Sequence, residues 1–124
     1  MLSQNQVVAA RRAIELTYTG TCIVIEYRKK PRENKSTGFE EEIVLENQPC
    51  RLSFERILST NQGQAAANLT QSAKLFISPE IHIKPGSKLT VAQNGVVTDY
   101  KNSGEPALYA THQEVMLELF KGWA

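Results

Sequence analysis

The sequence predicts a mainly β fold: a small β-barrel or sandwich of about seven short strands, with one N-terminal helix and long loops. Three observations lead to this prediction. Apolar and polar residues alternate in many short segments, Gly and Pro separate these segments, and an Asn-Gly pair marks a tight hairpin. The 124 residues suit one domain, residues 1–124, because neither a repeat nor a linker divides them.

A single helix is predicted for residues 4–15. Ser3 is a suitable N-cap, and apolar residues follow it at spacings of three and four, as in Val7, Ala10 and Ile14. The β-branched residues and the glycine that come next are expected to end the helix.

Three strands are predicted in the first half of the chain, at residues 21–28, 40–45 and 50–55, because apolar and polar side chains alternate there. The polar residues 29–39 predict a long exposed hairpin loop between the first two strands. Residues 47–49, which include a proline, predict a break before the third.

The second half contains the strongest turn signals. Lys84-Pro85-Gly86-Ser87 predicts a type II turn, because the second central residue of that turn needs a positive φ. Asn94-Gly95 predicts a two-residue hairpin. Strands are predicted at residues 74–78, 89–92, 96–98, 108–111 and 115–120, with a short helix as the alternative for the last segment and one or two helical turns at residues 65–69.

The charge and hydropathy patterns exclude several function classes. The net charge of +1 gives no overall field that would attract nucleic acid or anionic lipid. The longest apolar run, residues 22–25, is far shorter than the ~20 residues of a membrane helix, so we expect no membrane contact. Cys22 and Cys50 allow a disulfide if their strands are adjacent. Because no secretion signal precedes them, two reduced core thiols are favoured.

The two histidines are the main candidates for chemistry. His82 lies between Ile81 and Ile83 in a predicted strand, which favours a surface position over a ligand role. His112 and Glu114 would share one strand face and could form a base–carboxylate pair. No serine or cysteine can be assigned beside them as a nucleophile. We therefore predict no enzymatic activity, no cofactor and no metal site.

Two charged segments are candidates for contact with other molecules. The basic segment has two interpretations. It is either a solvated hairpin tip or a contact with an acidic partner or with DNA phosphates. The acidic run favours a solvated strand edge over a metal cage. The basic residues are Arg28, Lys29, Lys30, Arg32 and Lys35, and the acidic ones are Glu40, Glu41 and Glu42.

An uncharged segment, residues 57–73, is a further candidate surface. It is either a flexible loop or a surface that faces a charged molecule without holding it. Phe120 and Trp123 are predicted to be exposed, where they would dock on a partner or pack over the open end of the barrel. The polar candidates in the uncharged segment are Asn61, Gln62, Gln64, Asn68 and Gln71.

A longer pattern resembles a known protein family. It runs as LFISPEIHIKPGSKLTV over residues 75–91 and continues with Asn94-Gly95, Tyr100, Ser-Gly-Glu-Pro at 103–106, Tyr109 and Thr-His-Gln at 111–113. This pattern resembles the head-closure, or head–tail connector, proteins of long-tailed bacteriophages and defective prophages. The resemblance is densest over residues 74–114, and its motifs are turn and core patterns rather than catalytic ones.

The resemblance implies a structural role in the neck of a virion that is assembled in the bacterial cytoplasm. Such proteins form a ring beneath the portal and adaptor, help to retain packaged DNA, and present a surface to the tail-completion protein. By position, residues 28–39 and 57–73 are the loops expected to reach the channel, without sequence-specific contact to DNA. Opposite charges in residues 28–35 and 40–42 could pair between neighbours in the ring.

Two other functions remain open at this stage. One is a nucleic-acid-binding barrel of the oligonucleotide-binding type, which would use the basic segment. The other is a small enzyme that uses His112 and Glu114 and would need a concave pocket around them.

Overall fold

The computed structural model describes residues 3–31, 37–58 and 69–123, with the backbone alone for residues 37, 55–58 and 69–72. The predicted mainly β fold is confirmed, because one helix and seven strands make up the regular structure of these residues. The elements are α1 (Gln4–Glu15), β1 (Gly20–Pro31), β2 (Thr37–Leu58), β3 (Leu69–Ile77), β4 (Lys88–Gln93), β5 (Val96–Asn102), β6 (Ala107–Leu108) and β7 (Gln113–Leu119).

The strands form a single antiparallel sheet whose pairing closes on itself. Its order is β3-β2-β1-β4-β5-β7-β6, and β3 also pairs with β7. Six strands therefore form a closed cycle, which we call the closed sheet. Strand β6 pairs with β7 on the same edge as β5, but at the other end of β7. Alternate side chains point inward and form the core. Its fully buried members include Cys22, Val24, Cys50, Leu75, Ile77, Leu89 and Val115.

Helix α1 has the predicted bounds, and its N-cap is the predicted Ser3. The Ser3 hydroxyl accepts a hydrogen bond from the Gln6 amide, and the Gln6 side chain accepts one from the Ser3 amide. This reciprocal capping satisfies two donors at the start of the helix. None of the helix residues is buried, so α1 lies on the outside of the closed sheet.

The first two strands are longer and more continuous than the sequence predicts. Residues 29–39 were expected to form a loop, but β1 continues to Pro31 and β2 begins at Thr37, with Lys29 opposite Phe39. The predicted break at residues 47–49 is also wrong, because β2 is unbroken. Asn47 adopts a φ of 53° where the β1–β2 register shifts, so a bulge absorbs the extra residues.

Both predicted turns of the second half are confirmed. Gly86 has a φ of 84°, and the Ser87 amide donates to the Lys84 carbonyl over 3.1 Å. Asn94 and Gly95 have φ values of 55° and 77° and join β4 to β5, as a type I′ turn requires.

Other predictions for the second half need correction. Residues 81–83 are not a strand, although His82 is exposed as expected. Of the strand predicted at residues 108–111, only Leu108 lies in a strand, because β6 (Ala107–Leu108) pairs with β7 over two residues. The final segment is the strand β7 rather than a helix. The predicted helical turns at residues 65–69 fall almost entirely outside the described residues.

The two cysteines are free and fully buried in the core, on the adjacent strands β1 and β2. This confirms the favoured interpretation of two core thiols. A hydrogen bond with Cys50, together with burial, raises the pKa of the Cys22 thiol above its ordinary value. Within the described ranges, no helix is both long enough and apolar enough to cross a lipid bilayer.

Candidate interaction surface

A two-stranded ribbon projects from the closed sheet and contains most of the described candidate residues. Strand β1 pairs with β4 only over residues 21–25, so beyond Ile25 its hydrogen-bonding partner is β2. We call residues 26–31 together with residues 37–42 the ribbon. Directly opposed residues of an antiparallel pair share a face, so the register divides the ribbon into two chemically different faces.

One face carries a network of ion pairs. Arg28 contacts Glu26 over 2.7 Å and Glu42 over 2.8 Å, and Lys30 lies 3.8 Å from Glu42. Lys84, from the turn before β4, lies 3.8 Å from Glu26. The hydrogen bond with Glu26, reinforced by Glu42, raises the pKa of Arg28. Charges that the sequence suggested for pairing between neighbours are therefore largely paired within one chain.

The opposite face carries a stack of aromatic rings. Tyr27 lies between Phe39, at a centroid distance of 5.3 Å, and Trp123, at 4.8 Å with an interplanar angle of 6°. Phe120 meets Trp123 edge to face at 5.0 Å. Both arrangements are favourable for aromatic quadrupoles. The C-terminal segment is thus fixed to the base of the ribbon.

Polar contacts hold the same segment. The Trp123 indole Nε1–H donates to Glu41 Oε2 over 2.9 Å, and Lys88 Nζ donates to the same oxygen over 3.2 Å. The Lys88 ammonium also lies 4.8 Å from the centre of the Phe120 ring. The hydrogen bond from Trp123, followed by that from Lys88, lowers the pKa of Glu41.

These contacts correct the prediction that Phe120 and Trp123 are exposed. Both side chains are half-buried, and they pack on the ribbon and on β4. Trp123 packs there because its indole ring stacks on Tyr27 and donates a hydrogen bond to Glu41. The free aromatic surface belongs instead to Tyr27 and Phe39, which are 43% and 53% exposed.

The candidate residues therefore separate into groups. Arg28, Lys30 and Glu42 join the ion-pair network, and Glu41 joins the aromatic face. Lys29 and Glu40 are exposed and form no ion pair with any residue whose side chain the structure describes. Gln71 lies in β3, with its backbone alone described. Six candidates lie outside the described residues: Arg32, Lys35, Asn61, Gln62, Gln64 and Asn68.

Sequence reasoning missed five residues that build this surface: Glu26, Tyr27, Phe39, Lys84 and Lys88. If the pairing of β1 with β2 had been predicted to continue beyond residue 28, it would have placed Glu26 opposite Glu42, as the structure does. Lys84 lies in the turn before β4, and Lys88 is the first residue of β4. No pattern in the sequence near the ribbon indicates that these lysines contact it.

His112 and Glu114 are hydrogen-bonded, with 2.9 Å between Nε2 and Oε2. His112 Nδ1 lies 2.9 Å from the Thr111 hydroxyl, and Lys74 Nζ lies 3.4 Å from Glu114. The contact with His112, followed by that with Lys74, lowers the pKa of Glu114. The predicted shared face is confirmed. The neighbouring cavity is bordered by His112 but not by Glu114.

The comparisons with known proteins give one structural similarity. No protein-family model matches the chain, and no curated protein matches it. The chain is similar to the solved structure of the phage-like element PBSX protein xkdH from Bacillus subtilis, with a TM-score of 0.49 and 10% identity. The match covers 80% of this chain and 91% of that one. At this level, the similarity carries no argument about function.

Proposed function

We propose that this chain is a non-enzymatic structural protein of the phage neck, which joins the portal and adaptor of the filled head to the tail. The ribbon is the observation that carries the proposal. It extends beyond the closed sheet, its base is fixed by Trp123, and its outer part exposes Phe39, Lys29 and Glu40. The sequence resemblance over residues 74–114 supports the same role, since its turn motifs form the turns described above.

The ribbon suits a ring assembly. In a ring, one surface of each subunit contacts a different surface of its neighbour, and a projecting arm provides such a surface far from the body of its own chain. The exposed edges of a two-stranded ribbon also offer backbone groups for strand addition. We propose that the ribbon contacts a neighbouring copy or the adaptor, while packaged DNA lies nearby without sequence-specific contact.

Sedimentation velocity of the purified protein, alone and with a portal–adaptor complex, tests the proposal. We expect the free chain to associate weakly and to co-sediment with the complex. Phe39→Ser should weaken this binding at least about tenfold, because it removes an exposed aromatic contact. Val97→Ser is the matched control, since Val97 is also exposed but lies at the β4–β5 end of the sheet. Failure of the unaltered chain to bind any neck component would overturn the proposal.

One observation favours a second function, the binding of single-stranded nucleic acid. Such binding needs aromatic platforms beside cations, and the Tyr27–Phe39 face lies next to Lys29. Quenching of Trp123 fluorescence by an oligonucleotide would decide between the two functions. Nucleic-acid binding requires an affinity that falls with salt and is lost when Arg28, Lys29 and Lys30 are all changed to Gln. The neck proposal expects no such quenching at physiological ionic strength.

A further inference from the structure

A cavity of about 270 Å³ separates helix α1 from the outer face of the closed sheet. Because no residue of α1 is buried, the helix leaves this space open. The cationic and aromatic lining comes from β2, from β3 and from the residue before β7, and the helix contributes small and aliphatic side chains. The lining residues are Ala13, Ile14, Thr17, Arg51, Phe76 and His112.

Arg51 is the unusual member of the lining. Its guanidinium carbon lies 4.5 Å from the centre of the Phe76 ring, so the cation is stacked on an aromatic face. Its Nε–H is buried and has no hydrogen-bond partner among the residues with described side chains. Among the residues with described side chains, no carboxylate lies within ion-pair distance of Arg51. Burying a donor of a charged group without a partner is costly, so it indicates that an acceptor is missing.

The carboxylates near this part of the molecule are already engaged. Glu15 pairs with Arg11 over 3.2 Å, and Glu80 pairs with Arg11 over 2.6 Å. Glu114 is held by His112 and by a lysine. Among the residues with described side chains, Arg51 therefore has no carboxylate partner, whereas Arg11 on the adjacent helix donates four side-chain hydrogen bonds.

Tyr18, just beyond the C-terminus of α1, has a second buried donor. Its hydroxyl has no hydrogen-bond partner among the residues with described side chains. Burial, followed by the charge of Glu15, raises the pKa of Tyr18. Tyr18 is not among the residues that line the cavity, so Arg51 carries the unpaired donor of this site.

We propose that this cavity is a docking site for an acidic segment of a partner protein. An apolar side chain of that segment fills the space between α1 and Phe76, and an adjacent carboxylate pairs with Arg51. Charge complementarity and the apolar lining select this chemistry, because a guanidinium binds a carboxylate through directional charge-assisted hydrogen bonds. The site lies on the β2–β3 face rather than on the ribbon, so it does not depend on the proposed neck function.

Nuclear magnetic resonance of the full ¹⁵N-labelled chain tests the site with two small probes. N-acetyl-L-leucine carries an aliphatic side chain and a carboxylate, and N-acetyl-L-leucinamide has the same side chain without the charge. We expect saturable shifts of the backbone amide resonances of Ala13, Thr17 and Phe76, which border the cavity, with a Kd for the acid of about 1–10 mM for so small a molecule. The amide should bind at least about tenfold more weakly.

Three variants separate binding from folding. Arg51→Met keeps a long side chain over Phe76 but removes the charge, and it should abolish the preference for the acid. Ala13→Leu changes an exposed helix residue, fills part of the cavity, and should weaken both probes. Arg12→Gln, on the exposed side of the same helix, is the control and should bind like the unaltered chain. Equal binding of the two probes, no saturable shift at 20 mM (about twice the weakest affinity expected), or an unchanged preference in Arg51→Met would each overturn the proposal.

Discussion

The ribbon and helix α1 both lie outside the closed sheet, but they are attached to it in opposite ways. The ribbon continues β1 and β2 without interruption, and Trp123 and Phe120 pack against its base. Helix α1 has no buried residue, and its best-defined contact is Arg11, which meets Glu80 in two hydrogen bonds of 2.6 and 2.8 Å and Ser78 in one of 2.9 Å. One appendage is held by strand pairing and ring stacking, the other by one polar cluster.

This difference teaches that the two appendages suit different tasks. A ribbon that shares its backbone hydrogen bonds with the sheet keeps a defined direction, as a contact between subunits needs. A helix held by one exposed ion-pair cluster can loosen locally without unfolding the sheet. The predictions below test that contrast, beginning with the sheet on which both depend.

Truncating the core should have the largest effect and should affect both appendages. Leu75 is fully buried in β3, between Leu52 and Val115 on the neighbouring strands. Leu75→Ala is expected to lower the free energy of unfolding by about 2–5 kcal/mol, because a cavity remains. Urea denaturation measures this, with Leu16→Ala as the control, since Leu16 is 85% exposed. A similar loss in both variants would contradict the assigned core.

Removing the ring that fixes the ribbon should have an intermediate effect. Trp123→Ala eliminates the stack on Tyr27 and the hydrogen bond to Glu41, and it should lower the free energy of unfolding by about 1–3 kcal/mol. Amide exchange in the ribbon should accelerate more than exchange in β3. Trp123→Phe keeps a ring but lacks the indole donor, so a smaller loss is expected. If exchange in the ribbon stays unchanged, the C-terminal segment does not fix it.

Acid should release helix α1 before it affects strand β3. The hydrogen bond from Arg11, followed by that from Ser78, lowers the pKa of Glu80 from 4.5 to about 2. A carboxylate with a lowered folded-state pKa stabilises the fold fully above its unfolded pKa, and this contribution disappears as the pH falls from about 4.5 through about 2. Backbone chemical shifts of α1 should report loosening in that window, while those of β3 stay unchanged.

Two variants control the acid experiment. Glu80→Gln should loosen α1 already at neutral pH and remove the dependence on acid, because the charge that binds Arg11 is gone. Glu105→Gln, an exposed carboxylate in the loop before β6, should behave like the unaltered chain. A helix that keeps its shifts in Glu80→Gln would show that packing, not the Arg11 cluster, holds it.

The smallest effect is expected within the ribbon's ion-pair network. Lys30 and Glu42 are 3.8 Å apart, and their side chains are 40% and 34% exposed. Lys30→Gln should change the free energy of unfolding by less than about 0.5 kcal/mol, since exposed pairs are screened by water and salt. Urea denaturation at low and high salt measures this. A loss above about 1 kcal/mol would mean that charge, rather than stacking, determines the order of the ribbon.

The sequence predicted well those features that a few adjacent residues determine. Ser3 caps its own helix, and Gly86 and Asn94 adopt the positive φ values that their turns need. Alternation also indicated an apolar face in β7, where Val115 and Leu117 are buried, although Leu119 of the same face is exposed. These signals are local because one turn or one pleat decides them.

The lengths of β1 and β2 could not be predicted, because their stability comes from distant residues. A polar stretch after Arg28 is typical of a loop. In the structure, however, Trp123 donates a hydrogen bond to Glu41, 82 positions away in the sequence, and this contact supports the ribbon. Likewise, Asn47 near Pro49 is typical of a strand break, yet a bulge with left-handed backbone keeps β2 continuous. Phe120 and Trp123 were predicted to be exposed for the same reason, because the residues that cover them are distant in sequence.

The unbroken course of β2 has a mechanical consequence. A pull along the ribbon axis is transmitted to the body through β1 against β4 at residues 21–25 and through β2 against β3 at residues 50–58. A force along these strands is perpendicular to the hydrogen bonds of both pairings, so it loads those bonds together in shear instead of opening them one after another. The ribbon is thus built to withstand tension along its strands.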